Sequence, residues 1–242
     1  IACTAANSVR LTSRRFANRV QPSAVTTCCS LFRGDSQWRN LPLLSRLRRA
    51  ELFGRYVVIM QCMLQCHDRG ELASFALQDY RDERHAHGYD AIVSIEMFEA
   101  VGEPYWPVWF DCLHRNLKPG GRAVIQTITI DDTLFERYRD STDFIQQYVF
   151  PGGMLPSPSR FVALACAHDF ALEDACAFGN DYARTLACWH RRFDRCEATI
   201  RQQGYDDRFV RTWKFYLAYC EAAFRHRNTD VMQFTLRKRA RS

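Results

Sequence analysis

The stretch "YDAIVSIEMFEAVGE", Tyr89 to Glu103, decides how this chain is read. Tyr89–Ile95 is an apolar run with a polar start, the pattern of a buried strand. It runs directly into a turn carrying two carboxylates, Glu96 and Glu99. An ordinary core would place leucines there, because a buried carboxylate costs free energy unless something compensates it. Acids at the carboxyl end of a buried strand occupy the edge where open parallel sheets bind ligands.

The neighbouring segments extend the pattern. Upstream, "ASFALQDY" (Ala73–Tyr80) is strand-like and ends in polar residues. Downstream, Tyr105–Gly121 carries Val108, Trp109, Cys112, Leu113 and Leu117 at helical spacing and stops at Lys-Pro-Gly-Gly, a terminating combination. "RAVIQTITI" (Arg122–Ile130) is another strand. Strand, strand, helix, strand with short links predicts a parallel α/β arrangement. "TLFERYRDSTDFIQQYVFPGGMLPS" reads as a helix and then a turn at Pro151-Gly152-Gly153. Ser157 is placed as the N-cap of the next helix, with Pro158 in its first turn. Phe170–Cys176 reads as a short strand. Two long amphipathic helices follow, Asp181–Gln203 and Asp206–Arg225, separated by Gly204 as a C-terminal cap. Thr229–Arg239 closes the chain as a strand.

Bulk properties bound the function. The chain has 242 residues, 47% hydrophobic, enough for one domain with a true core or one domain plus an appendage. No apolar run approaches the roughly 18 residues that span a bilayer. The first residue is Ile1 rather than Met, which reads as a fragment, a processed form or a partial reading frame. Eleven cysteines without regular spacing read as free thiols in a reducing compartment. Cys62-x₃-Cys66-His67 lacks the second pair that a metal site needs, so no metal is expected. Residues 1–70 hold eleven arginines, no lysine and three acids, a net +8; with +6 for the whole chain, the remainder carries −2. The basic excess is therefore confined to one segment and gives no ground for nucleic-acid binding. That segment shows no clear period; a short helix near Leu43–Phe53 and a strand at Tyr56–Met63 are its candidate elements.

Seven stretches in order, "LQDYRD", "YDAIVSIEMFEAVGE", "LKPGG", "QTITI", "FIQQYVFPGGMLPS", "FGNDYARTL" and "FYLAYCEAAFRHRNTDVMQFTL", resemble the cyclopropane-fatty-acyl-phospholipid synthase family over roughly Glu71–Arg239. The family is also similar to mycolic acid cyclopropane synthases and to some plant alkaloid N-methyltransferases. The resemblance implies an α/β fold of the class I methyltransferase (Rossmann-like) type, a mixed sheet with helices on both faces. It implies S-adenosyl-L-methionine as methyl donor, bicarbonate as base, and an unsaturated phospholipid acyl chain as substrate. The implied setting is cytoplasmic and peripheral to a membrane, with a homodimer left open. In that chemistry a carbocation must survive briefly in an apolar pocket beside a negative group, with water excluded.

Carried over residue by residue, the family's bicarbonate-binding glutamate falls on Glu99 and its tyrosine on Tyr182. Its histidine falls on Gln126, a departure: the amide still offers a donor and an acceptor but does not titrate. The backbone of Ile128 lies beside that position. For the cofactor the resemblance implies Gln78, Asp79, Tyr80 and Arg81 around the adenine, and Ile95 and Glu96 at the next strand end. The residues alone leave other readings open: Glu99 as an acid favoured by a helix N-terminus, Glu96 as a polar loop residue, Tyr182 as a core tyrosine, Gln126 as a polar strand end. Trp213, Phe215, Tyr216 and Tyr219 read mainly as core, with acyl-pocket lining as the alternative. His85-x-His87 reads as a solvated loop, and "RKRARS" as a solvated tail able to touch anionic lipid.

The main departure lies upstream. The family places a glycine-rich loop after its first strand, forty to fifty residues before "LQDYRD"; here "TTCCSLFRGDSQWRNLPLLS" has one glycine and no preceding apolar strand. Residues 1–70 are therefore unassigned: an out-of-frame translation, or an acid-free start of the transit-peptide kind. Residues 71–242 form the expected methyltransferase core, with a helical lid at about 131–169. Without the first strand, Tyr89–Ile95 is expected to expose an edge, and cofactor binding and activity are expected to be weak. The alternatives are a catalytically inactive remnant and a related small-molecule N- or C-methyltransferase.

Overall fold

A computed structural model of the chain describes residues 9–11, 73–75, 79–85 and 88–240. The described residues divide into two compact units: one runs to Asp82, the other from Glu83 onward. Tyr56–Met63, Leu43–Phe53, Cys62, Cys66, His67 and Gln78 lie outside the described residues.

In the smaller unit, strand β1 (Val9–Leu11) pairs antiparallel with β2 (Ala73–Phe75), and a 3₁₀ turn follows at Tyr80–Asp82. The strand expected over Ala73–Tyr80 is thus only three residues long. Its described partner is antiparallel, whereas the strand order predicted a parallel arrangement.

The larger unit is built on a four-stranded mixed sheet. Its strands are β3 (Tyr89–Ile95), β4 (Leu117–Ile130), β5 (Phe170–Ala177) and β6 (Thr229–Lys238), in spatial order β3-β4-β6-β5. β3 and β4 are parallel; β6 runs antiparallel to both its neighbours. The β3–helix–β4 unit that sequence order called for is present as the parallel pair joined through α1 (Trp106–Asn116). The remaining helices are α2 (Phe135–Arg139), α3 (Phe144–Tyr148), α4 (Pro158–Ala167), α5 (Gly179–Arg195), α6 (Glu197–Gln202) and α7 (Asp207–Arg225).

Several boundaries depart from expectation for local reasons. α1 ends at Asn116, whose side-chain amide donates to the Cys112 and Glu83 carbonyls, so Lys-Pro-Gly-Gly lies in β4 rather than in the helix. Tyr89 faces Leu117 while Ala91 faces Arg122, so Lys118–Gly121 is an irregular insertion in the strand, and Gly120 takes φ +72° there. Val108 is 44% exposed; the buried apolar residues of α1 are Trp106, Trp109, Phe110, Cys112 and Leu113. The single helix expected before Pro151 is two, because Asp143 starts a new one with a reciprocal cap: it accepts from Gln146 N while Gln146 reaches back to its N–H. The helix expected over Asp181–Gln203 breaks at Cys196. Ser157 holds the N-cap position of α4, but its hydroxyl does not cap; Asp132 accepts from Ser159 N instead. Gly204 has φ +92°, as a helix-terminating glycine should.

Cross-strand partners share a sheet face. One face carries Ala123, Ile125 and Thr127 opposite Leu236, Phe234 and Met232, covered by α1 and α4. Phe161 of α4 stacks on Phe234 with ring centroids 4.4 Å apart and meets Phe98 and Phe110 at 5.2 and 5.5 Å. Phe98, Phe110 and Phe161 are fully buried, and each contributes roughly 1.5–3 kcal/mol by burial. The other face carries Gln126 and Ile128 opposite Gln233 and Val231. Here Val231 joins α5 and α7 in a second core with Ala183, Leu186, Tyr216, Leu217 and Phe224. On that face of β3, Val93 and Ile95 are 54% and 59% exposed, and β3 is an edge strand among the described residues.

The stripe of aromatics on α7 divides. Tyr216 is buried, while Phe215 and Tyr219 are exposed and meet Phe144 of α3. His85 is not a solvated loop residue: its backbone N–H donates to Asn116 Oδ1 and its ring lies 4.3 Å from Tyr89. The basic tail begins engaged, with Arg237 paired to Glu173 and Lys238 donating to the His114 and Leu117 carbonyls.

Candidate active site

The site grows from the carboxyl ends of β3 and β4. After Ile95 the chain turns sharply: Glu96 takes φ +49°, a conformation that costs a non-glycine residue free energy. Its N–H is held by the Gln126 carbonyl at 2.8 Å. A 3₁₀ turn, Phe98–Ala100, follows. Phe98 anchors it in the aromatic core, and Glu99 is carried to a position only 6% exposed. The Pro151-Gly152-Gly153 turn closes from the other side. Met154 N donates to the Glu99 carbonyl at 2.8 Å, and a Cβ on Gly153 would lie 3.1 Å from the Phe150 carbonyl. Only glycine fits that approach without displacing backbone.

The two acids then diverge in partners. Glu99 accepts the Ile128 backbone N–H at 2.5 Å with Oε1, while Oε2 is buried without a hydrogen-bond partner. Burial pushes this carboxyl up to about 7, with the nearby Glu96 charge adding to the effect and the Ile128 N–H opposing it. Glu96 is the hub. Its Oε1 accepts from Gln126 Nε2 at 2.9 Å and its Oε2 from the Tyr182 hydroxyl at 3.4 Å. Tyr182, in the first turn of α5, is held well above the usual phenol range by burial first and the Glu96 charge second. Its ring packs on Phe224 at 4.9 Å. Tyr216 and Cys220 of α7 are also raised by burial, the thiol to about 12.

Glu96, Glu99, Gln126 and Tyr182 are thus brought together. The reading of Glu96 as a cofactor-border residue gave no hint that it would bond both Gln126 and Tyr182. Ile95 ends β3 with its side chain exposed. Asp79, Tyr80 and Arg81 belong to the smaller unit. There Arg81 grips Asp79 through its backbone N–H and guanidinium, at 2.6 Å for the Nη2–Oδ2 pair, and this holds the Asp79 carboxyl below its ordinary range. Gln233 was not anticipated: its Nε2 donates to Gln126 Oε1 at 2.9 Å. A signal for it existed, since a glutamine interrupts the apolar alternation of "DVMQFTL" on the face that Gln126 occupies. Tyr216, buried beside the cluster, was readable only as one of four aromatics.

Chemically, the cluster offers two carboxyls, an amide N–H₂ and a phenol in a small buried space. The Glu99 Oε2 acceptor and the Gln126 amide donor give the cluster both hydrogen-bonding senses. The strand-end position, with apolar Ile95 beside Glu96, suits the donor end of a nucleotide cofactor.

Known proteins resemble this chain in sequence and in fold. A family model described as mycolic acid cyclopropane synthetase matches residues 57–234, starting inside the segment left unassigned from sequence. Tuberculostearic acid methyltransferase UfaA1 of Mycobacterium tuberculosis is 39% identical over 168 residues, 69% of this chain and 39% of its own length. Cyclopropane-fatty-acyl-phospholipid synthase of Escherichia coli (strain K12) is 37% identical over 173 residues, 72% of this chain and 43% of its own. The chain therefore spans about two-fifths of the length of these relatives. Among solved structures, the cyclopropane synthase MmaA2 from Mycobacterium tuberculosis superposes with a TM-score of 0.60 at 25% identity, covering 67% of this chain and 59% of that one. Mycolic acid cyclopropane synthase CmaA1 complexed with SAH and CTAB gives 0.60 at 27%, with the same coverage. The sheet is that of the class I methyltransferases, and the chain belongs to the mycolic acid cyclopropane synthetase family.

Proposed function

We propose that this chain carries the alkene-binding half of an S-adenosylmethionine-dependent enzyme that transfers a one-carbon unit to the double bond of an unsaturated phospholipid acyl chain. The observation that carries the reading is the convergence of Glu96, Glu99, Gln126 and Tyr182 at the carboxyl ends of two parallel strands, in a chain of this family. Support for the cofactor comes from the relative whose structure holds SAH, and support for the lipid from the names of the curated relatives.

Bound there, S-adenosylmethionine supplies an electrophilic methyl group and bicarbonate a base. The chain's own groups do the rest. The Glu96 carboxyl, and that of Glu99 once it has given up its proton, place negative charge at the cluster, where it acts strongly on a developing cation. Gln126 and Tyr182 supply the donors that would hold an oxyanion, and Glu99 Oε2 the acceptor. Phe224, Tyr216 and Trp189 wall the cluster against water. Among the described residues no helix is long and apolar enough to cross a membrane.

The test is transfer of label from methyl-labelled S-adenosylmethionine to vesicles of cis-unsaturated phospholipid, with mass analysis of the released fatty acids. A ring product supports the reading in full. A methyl or methylene branch supports the neighbouring reading of plain methylation, which the non-titrating Gln126 favours. No incorporation, together with no calorimetric binding of the donor or its product, would leave an inactive remnant.

A further inference from the structure

We infer that Gln233 is a positioning residue that fixes which end of the Gln126 amide faces the acids, and so makes position 126 a hydrogen-bond donor. The inference rests on the proposed function for its catalytic consequence, though not for its geometry. Gln126 and Gln233 stand directly opposite in the β4–β6 ladder, on the same face. Gln233 Nε2 donates to Gln126 Oε1 at 2.9 Å, and Gln126 Nε2 donates to Glu96 Oε1 at 2.9 Å. The chain has one sense. Glu96 already receives the Tyr182 hydroxyl at one oxygen, and Gln126 turns its N–H₂ toward the other. The Gln126 carbonyl is then left facing β6, and it needs a donor there because the residue is 3% exposed. Gln233 supplies that donor. One Gln126 amide hydrogen is spent on Glu96, and the second remains to hold an oxyanion beside Glu99 Oε2.

A filler role and an orienting role make opposite demands on Gln233→Glu. The side chains have nearly the same shape, but the carboxylate accepts only. The Gln126 amide would turn over to satisfy it and present its carbonyl to Glu96, acceptor against acceptor. Methyl transfer is expected to fall roughly a hundredfold, the usual effect of losing a preorganised donor. Gln233→Leu leaves the amide unguided and is expected to cost about tenfold. The double variant Gln126→His with Gln233→Glu restores a donor on both sides while the imidazole is protonated. Its activity should recover at pH 6 and fade by pH 9. The titratable groups of the cluster around that position are Glu96 and Glu99 from the β3 turn and Tyr182 from α5, with Tyr216 and Cys220 of α7 next to Tyr182.

A readout without turnover separates this inference from the proposed function. In ¹⁵N-labelled protein the Gln126 side-chain amide should exchange slowly and shift strongly in Gln233→Glu and Gln233→Leu. If the wild-type chain transfers no methyl group but these shifts occur, the functional reading fails and the orientation stands. Gln126 amide signals unmoved by either substitution would overturn the orientation, as would a double variant no better than Gln233→Glu at any pH in an active enzyme.

Discussion

One oxygen of Glu99 takes the Ile128 N–H at 2.5 Å, and the other is buried with no partner. A half-satisfied buried carboxyl favours its neutral form, which is why burial raises it to about 7. The consequence for stability follows from the sign of the shift. With the folded value above the ordinary 4.5, the folded protein holds the proton more tightly than the unfolded chain. The stabilising contribution is complete below about pH 4.5 and is lost as pH rises through 7. The difference corresponds to roughly 3 kcal/mol. Glu99→Gln removes the titration. In urea unfolding at pH 5 and pH 8, the wild type should lose about that much more stability than Glu99→Gln across the interval; equal losses would show that Glu99 is not buried as described.

Glu96 and Arg227 share a left-handed backbone, at φ +49° and +59°, but they differ in what holds them there. Arg227 follows the end of α7, where glycine is the favoured residue, and Arg227→Gly should stabilise by about 0.5–1 kcal/mol. Glu96→Gly relieves similar strain but strands the Gln126 amide and the Tyr182 hydroxyl, each worth about 1 kcal/mol. Thermal unfolding should therefore rise for the first and stay flat or fall for the second, while only the second abolishes methyl transfer. Strain kept where it serves a hydrogen-bonded cluster is the pattern of a functional site.

The elements that could be read from sequence are those whose signals are local. β3, β6, α7 and the Gly204 stop follow from period and punctuation, and their observed bounds fall within a residue or two of expectation. The losses came where a distant partner decides. Asn116 ends α1 through the Glu83 carbonyl, 33 residues away in sequence. Lys118–Gly121 is strand because Tyr89 pairs with Leu117. Ala73–Phe75 finds an antiparallel partner in Val9–Leu11 that no local pattern announces. In the site, Glu99, Gln126 and Tyr182 came from motif resemblance, and the structure sets them together. Glu96 as hub and Gln233 as its remote support depend on cross-strand register, which is settled only when β6 docks on β4.

Phe161 ties the core to the site. It is fully buried, stacks on Phe234 and touches the edge of Phe98, the residue before Glu99. Phe161→Ala should destabilise by roughly 3–5 kcal/mol, the range for emptying an aromatic site. Because Phe98 would lose a wall, the Glu99 turn should loosen with it. Hydrogen exchange should then show the Ile128 amide, the donor to Glu99, exchanging faster than global destabilisation alone requires. Protection of Ile128 falling only in step with the other β4 amides would argue against the coupling.

The exposed apolar face of β3 carries the last prediction. Val93 and Ile95 project from a strand that is an edge among the described residues, on the side away from α1 and α4. An apolar edge with open backbone groups is a template for pairing with another chain. Val93→Lys places a charge there without touching Glu96, Glu99, Gln126 or Tyr182. Sedimentation velocity should show the wild-type chain self-associating with rising concentration and Val93→Lys shifted toward monomer, with its far-ultraviolet circular dichroism unchanged. Identical distributions for the two would mean that this edge is covered in the protein in solution, and the exposed face of β3 would then be an interior surface rather than a free one.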